Sequence, residues 1–228
     1  MTIARIIDGA AEAILVAALL GELAVVLANV VGRTLSQTGF LWAPEVSQFA
    51  LSTMTFVGGA VAYRRGQHTP VRAVLVLLPK RGQVACSIVA DWLVVIGALV
   101  AGAAAITLVR NSWVEITPIL RLPAGTIALP LVIAMALLVL YAAERLAKTD
   151  RRLVSAIGLS VAGVLALAIA TRSWWQPAFH GDAAMYAALA LLLVMVLAGL
   201  PVGFALLLAT VGYLWLAAGA PILALAHN

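Results

Sequence analysis

Charge is scarce in this chain. Lys, Arg, Asp and Glu make up 10% of its 228 residues, while 64% are hydrophobic; an ordinary soluble domain carries about 25% charged residues. That balance excludes a soluble globular protein. Cysteine is nearly absent too, and the single Cys86 cannot form an internal disulfide. No HExxH, paired-cysteine, GxSxG or Walker pattern occurs, and His68, His180 and His227 stand isolated in loops or at the terminus. No catalytic, metal or cofactor site is expected, and a membrane enzyme has no constellation to support it. The net charge of +5 does not indicate nucleic acid, because the basic residues sit in short loops between apolar runs, where membrane orientation accounts for them.

Long apolar runs are what the chain has in abundance. They cover Ala10–Val31, Ala43–Ala62, Val84–Val109, Ala124–Ala143, Leu153–Thr171 and the overlong Ala183–Ala218. About 20 residues at 1.5 Å each cross a hydrocarbon core roughly 30 Å thick. The runs lack the in/out alternation of barrel strands, so the fold class is all-α: a polytopic helical membrane protein. The first run is too long for a signal-peptide core and is read as a retained span. Arg5, Arg64, Arg65, Arg72, Lys80, Arg81, Arg145, Lys148, Arg151 and Arg152 fall on one side. Only Arg33, Arg110, Arg121 and Arg172 fall on the other. This asymmetry places the N-terminus in the cytoplasm. Trp42, Trp113, Trp174 and Trp175 then lie outside, as an interfacial belt would. The cytoplasmic loop 63–83 is expected to carry a short surface helix over Val71–Leu78, flanked by basic residues near anionic lipid.

The polar residues inside the runs are the candidate contact points. In "WAPE", Pro44 suits a first helical turn and Glu45 the positive end of a helix dipole. With Gln48, Ser52, Thr55 and Gly59 it forms a stripe on one helix face, read as a packing face, with Gly58 beside it. Glu22, Asn29 and Arg33 share a face of the first span. Arg33 and Glu45, close in sequence across one short loop, are expected to form an ion pair that sets the register of the two helices. An ionised residue at mid-bilayer costs about 2.5–3.5 kcal/mol on insertion scales, so Glu22 and the shallower Asp91 require a partner, a water pocket or a proton. They are either an ion relay or hydrogen-bonding links between helices, and no deep basic residue accompanies them. In the last run "GLP" breaks a helix too long for one span, leaving open one kinked helix or two segments.

Taken in order, "NVVGR" (Asn29–Arg33), "WAPEVS", "VGGA", "RRGQH" through Arg65 and His68, "LLPKR", "RLP" and the "LP" at Pro130 resemble the small membrane subunit of TRAP transporters over residues 1–148. The resemblance implies a four-span subunit that joins a large transporting subunit. It also implies a periplasmic protein that delivers an organic acid, commonly a carboxylate, taken up on a sodium gradient. Residues 149–182 then read as a linker span. Residues 183–228 resemble the start of the large subunit, whose Gly-x-Pro-x-x-Phe element is Gly199, Pro201 and Phe204 here, so the chain resembles a fusion cut short. The expected role is scaffold and docking surface, with Asn29, Arg33, Trp42, Glu45, Gly58, Gly59, Arg65 and His68 as structural or partner contacts. Its partners would be the large subunit, the binding protein and membrane lipid, with no cofactor and no nucleic acid. The rival is a self-contained oligomeric transporter or channel whose path is lined by Glu22 and Asp91.

Overall fold

The computed structural model describes residues 2–66, 79–171, 174, 182–197 and 202–217. They form seven helices: α1 (Thr2–Ser36), α2 (Ala43–Arg64), α3 (Lys80–Asn111), α4 (Gly125–Ala147), α5 (Arg151–Ala170), α6 (Asp182–Leu197) and α7 (Val202–Ala217). The segments Ile6–Leu35, Lys80–Asn111, Gly125–Ala147 and Arg151–Ala170 are long and apolar enough to cross a membrane. The second expected span is the 22-residue α2, which carries Gln48, Ser52, Thr53 and Thr55 along its length and is not among those four. The chain divides into two compact units, Met1–Arg65 with Ala101–Leu137, and Gly66–Val100 with Leu138–Asn228.

In the first unit the helix ends follow local chemistry. The helical path of α1 ends at Ser36, and Gln37 adopts a φ of 55°, a left-handed conformation that breaks the helix. Trp42 then stands at the N-cap position of α2 without a side-chain capping bond, with Pro44 in the first turn, where a missing N–H costs nothing. Ala11 of α1 packs with Val57 and Val61 of α2, with Leu15 and Leu137 against them. The buried face of α2 is Ala43, Ala50, Thr53, Val57, Ala60, Val61 and Tyr63. It is therefore offset from the expected stripe, of which Gln48 and Thr55 are exposed and Ser52 donates to the Ile127 carbonyl of α4 at 2.7 Å. Small and β-branched side chains let the helix backbones approach, which decides the face over polarity.

In the second unit Asp150 caps α5, accepting the Arg152 N–H at 3.0 Å. Trp92 of α3 lies across α5: its indole N–H donates to the Val154 carbonyl at 3.2 Å. A Cβ on Gly158 would fall 2.8 Å from that ring, so the tryptophan seats where glycine leaves room. The last apolar run forms two packed helices rather than one, with Leu191 of α6 3.4 Å from where a Cβ on Gly212 of α7 would stand. In a straight helix residues 191 and 212 would be about 30 Å apart, so the chain turns back between them. Gly199 and Pro201 of the expected break, and the side chain of Phe204, lie outside the described residues.

Candidate functional site

The loops at one end of the first unit are tied down by side chains. Asn29, one turn before Arg33 in α1, accepts the Phe40 N–H through Oδ1 at 2.9 Å. Phe40 stacks on Trp42 with ring centroids 5.5 Å apart, and its ring edge would lie 3.1 Å from a Cβ on Gly32. The α1–α2 loop thus folds back over the end of α1.

The α3–α4 connection, residues 112–124, is a tight hairpin. Its rungs run from Gly125 N–H to Ser112 O (3.0 Å), Ala124 N–H to Glu115 O (2.8 Å) and Thr117 N–H to Leu122 O (2.8 Å), with an antiparallel bridge between Ile116 and Pro123. Thr117 Oγ1 accepts the Leu122 N–H at 3.1 Å. At the tip, two amides have the Glu45 carboxylate as acceptor. Oε1 takes the Ile119 N–H at 2.8 Å and Oε2 the Leu120 N–H at 2.9 Å.

The expected Arg33–Glu45 ion pair is therefore not formed; both carboxylate oxygens are spent on amides. Charge-assisted bonds to backbone donors already fixed by the hairpin rungs are strong, and they spare the entropy of ordering a long arginine side chain. Arg33 lies instead along Gly39, where an added Cβ would meet its Nε at 3.0 Å.

Ion pairs join α1 and α2 at their opposite ends. Arg64 Nε lies 2.7 Å from Asp8 Oδ2, and Arg65 Nη2 pairs with Glu12. The expected contact residue Arg65 is thus engaged within the chain. Asp8 and Glu12, one turn apart on α1 and opposite a tandem arginine, went unassigned from sequence, although their spacing carries the signal.

Asp91 is buried at 7% exposure and faces Arg145 of α4 at 3.5 Å. A basic partner from the last turn of α4, not from mid-span, therefore accompanies this acid. Arg145, which reads from sequence as a loop charge, can reach back along the helix end as long basic side chains do. Glu22 is different. Its Oε2 is buried and has no hydrogen-bond partner among the described residues. Gly58 sits 3.6 Å from Leu15 measured from an added Cβ, while Gly59 meets nothing within 4 Å. His68 and the expected surface helix Val71–Leu78 lie outside the described residues. Among the described residues no group of acids, histidines and cysteines is placed to hold a metal.

These features define an all-helical integral membrane protein with interlocked loops at one end of its first unit. Residues 22–151 match the family model of the DctQ component of tripartite ATP-independent periplasmic transporters. The match covers more than half of the chain, and the chain belongs to that family. It is a family of transporter components, not of enzymes. No curated protein matches the chain.

Proposed function

We propose that this chain is the scaffold and docking subunit of a TRAP-type uptake system for an organic acid, driven by an ion gradient such as sodium. It would sit in the inner membrane with its N-terminus in the cytoplasm. The observation that carries the reading is how the polar interior is used. The buried polar or charged residues among those described are Thr53, Asp91 and Thr117, and each is spent inside the chain; Glu22, whose buried Oε2 meets no partner among the described residues, is an exception, and a lone carboxylate makes no path for an anion. Thr53 bonds the Phe49 carbonyl, Asp91 faces Arg145, and Thr117 holds Leu122. A path for a carboxylate needs polar groups left free to meet it. Side chains engaged in mutual bonds make a rigid body instead.

On this reading the interlocked loops face the periplasm, where the α1–α2 loop presents a preformed surface to the incoming binding protein, and the apolar helix faces of α1 meet lipid and the large subunit. The positive-inside asymmetry supports the orientation. Residues 1–148 form the small-subunit unit, 149–182 a linker span and 183–228 a large-subunit-like segment; the family match ending at 151, where α5 begins, supports the first of these boundaries. Coexpression with the large subunit of such a system tests the reading. A tag on this chain should retrieve the large subunit from solubilised membranes, and recovery of this chain alone from membranes that hold both would refute it.

A further inference from the structure

The 112–124 hairpin combines two features that a water-facing loop does not require. Its apolar side chains point outward: Val114 is 85% exposed and Ile116 67%, with Trp113 and Ile119 also exposed. Its tip amides, which water would satisfy in an ordinary surface turn, are instead held by Glu45. Rungs, bridge, threonine hydroxyl and carboxylate together pair the amides of residues 117, 119, 120, 122, 124 and 125 within the chain. Internal satisfaction of backbone groups is what a non-aqueous setting demands.

Position agrees. Between Asp91 and Arg110, α3 has no charged residue, a stretch of about 27 Å at 1.5 Å per residue, close to the roughly 30 Å hydrocarbon thickness. Arg110 therefore marks the far interface, and the hairpin begins directly after it. Two exposed arginines, Arg110 and Arg121, flank the apolar side chains, and Glu115 offsets only one of them. Arg121 keeps a φ of 53°, a conformation that favours glycine.

We propose that this hairpin is a lipid-binding element, its apolar side chains seated at the headgroup–acyl boundary and Arg110 and Arg121 on anionic phospholipid phosphates, with Glu45 as the positioning residue that seals its tip. Aromatic and aliphatic groups beside arginine match that boundary, and arginine suits phosphate recognition. The same seating is available to the hairpin on either face of the membrane.

The test uses the full chain carrying Cys86→Ser and Val114→Cys, labelled with an environment-sensitive dye. It is reconstituted in phosphatidylcholine vesicles with and without phosphatidylglycerol. The dye should emit to the blue of its aqueous spectrum, be quenched by lipids spin-labelled near the headgroup, and be quenched by iodide several-fold less than the free dye. Glu45→Ala should move the dye toward water, with Glu45→Gln, which keeps one acceptor oxygen, in between. Arg110→Ala and Arg121→Ala should erase the difference between the two vesicle types. Arg121→Gly, which relieves the left-handed backbone, should do the same, which assigns that loss to the side chain. An aqueous spectrum with full iodide quenching in both vesicles overturns the proposal. Protection that appears only on addition of the binding protein or the large subunit also overturns it, and assigns the hairpin to a protein partner.

Discussion

The Glu45 carboxylate accepts the amide of Ile119, a residue 74 positions away in the chain, at 2.8 Å. Its second oxygen takes the neighbouring Leu120 amide at 2.9 Å. One acid in the first turn of α2 thus fixes the tip of the α3–α4 hairpin, within a unit whose other loop is held by Asn29.

Removing that acid should free the tip without unfolding the helices. In Glu45→Ala, hydrogen exchange of the Ile119 and Leu120 amides should accelerate strongly, while α2 amides beyond the first turn keep their protection. Unchanged exchange at both amides would mean that the carboxylate bonds do not hold the tip.

Coupling between α1 and α2 should reside at the Asp8–Arg64 pair and be absent at Arg33–Glu45. Asp8 and Arg64 are each about one quarter exposed, so their interaction should be modest, about 1 kcal/mol. A double-mutant cycle of Asp8→Ala and Arg64→Ala should show that non-additivity in an unfolding titration, whereas the cycle on Arg33 and Glu45 should be additive.

How much of this was legible beforehand depended on the kind of signal. The spans were readable because uninterrupted apolar runs are sufficient to specify helices in lipid, and Pro44 with Glu45 marked a helix start. The partners of Glu45 were not readable, since backbone amides carry no residue identity and the hairpin holds them 74 and 75 residues away in the chain. The Gly199–Pro201 break reads alike for a kink and for a reversal, so the packing of α6 on α7 required the structure. The Asp8 and Glu12 pairing was readable in principle, but the arginines opposite them had already been explained by orientation. That Asp91 requires a partner follows from its depth in an apolar run, but which cation meets it does not, because Arg145 sits near a helix end.

Cutting the Asp91–Arg145 contact should cost more from one side than from the other. Arg145→Ala leaves a buried acid without its cation and should destabilise the chain by about 1–3 kcal/mol. Asp91→Leu leaves Arg145, which is partly exposed, able to turn to water or headgroups, and should cost less. Equal losses in thermal unfolding would contradict the asymmetry.

Two glycines should tolerate alanine differently. On Gly158 the new methyl meets the Trp92 ring at 2.8 Å, an overpacking cost of about 1–3 kcal/mol that Trp92→Leu should partly relieve. On Gly125 it meets the Val109 carbonyl oxygen at 2.7 Å, and backbone cannot be trimmed. Gly125→Ala should therefore resist rescue by any side-chain change nearby, as read by thermal unfolding of the purified variants.

This chain should support transport without forming the path. Uptake of a labelled organic acid into vesicles under an imposed sodium gradient addresses it most directly, comparing this chain alone with the chain joined by a large subunit and a substrate-loaded binding protein. The chain alone should give no uptake, all three together should give uptake, and Glu22→Gln should have little effect on it. Uptake by the chain alone that Glu22→Gln abolishes would contradict this and make the chain itself the transporter.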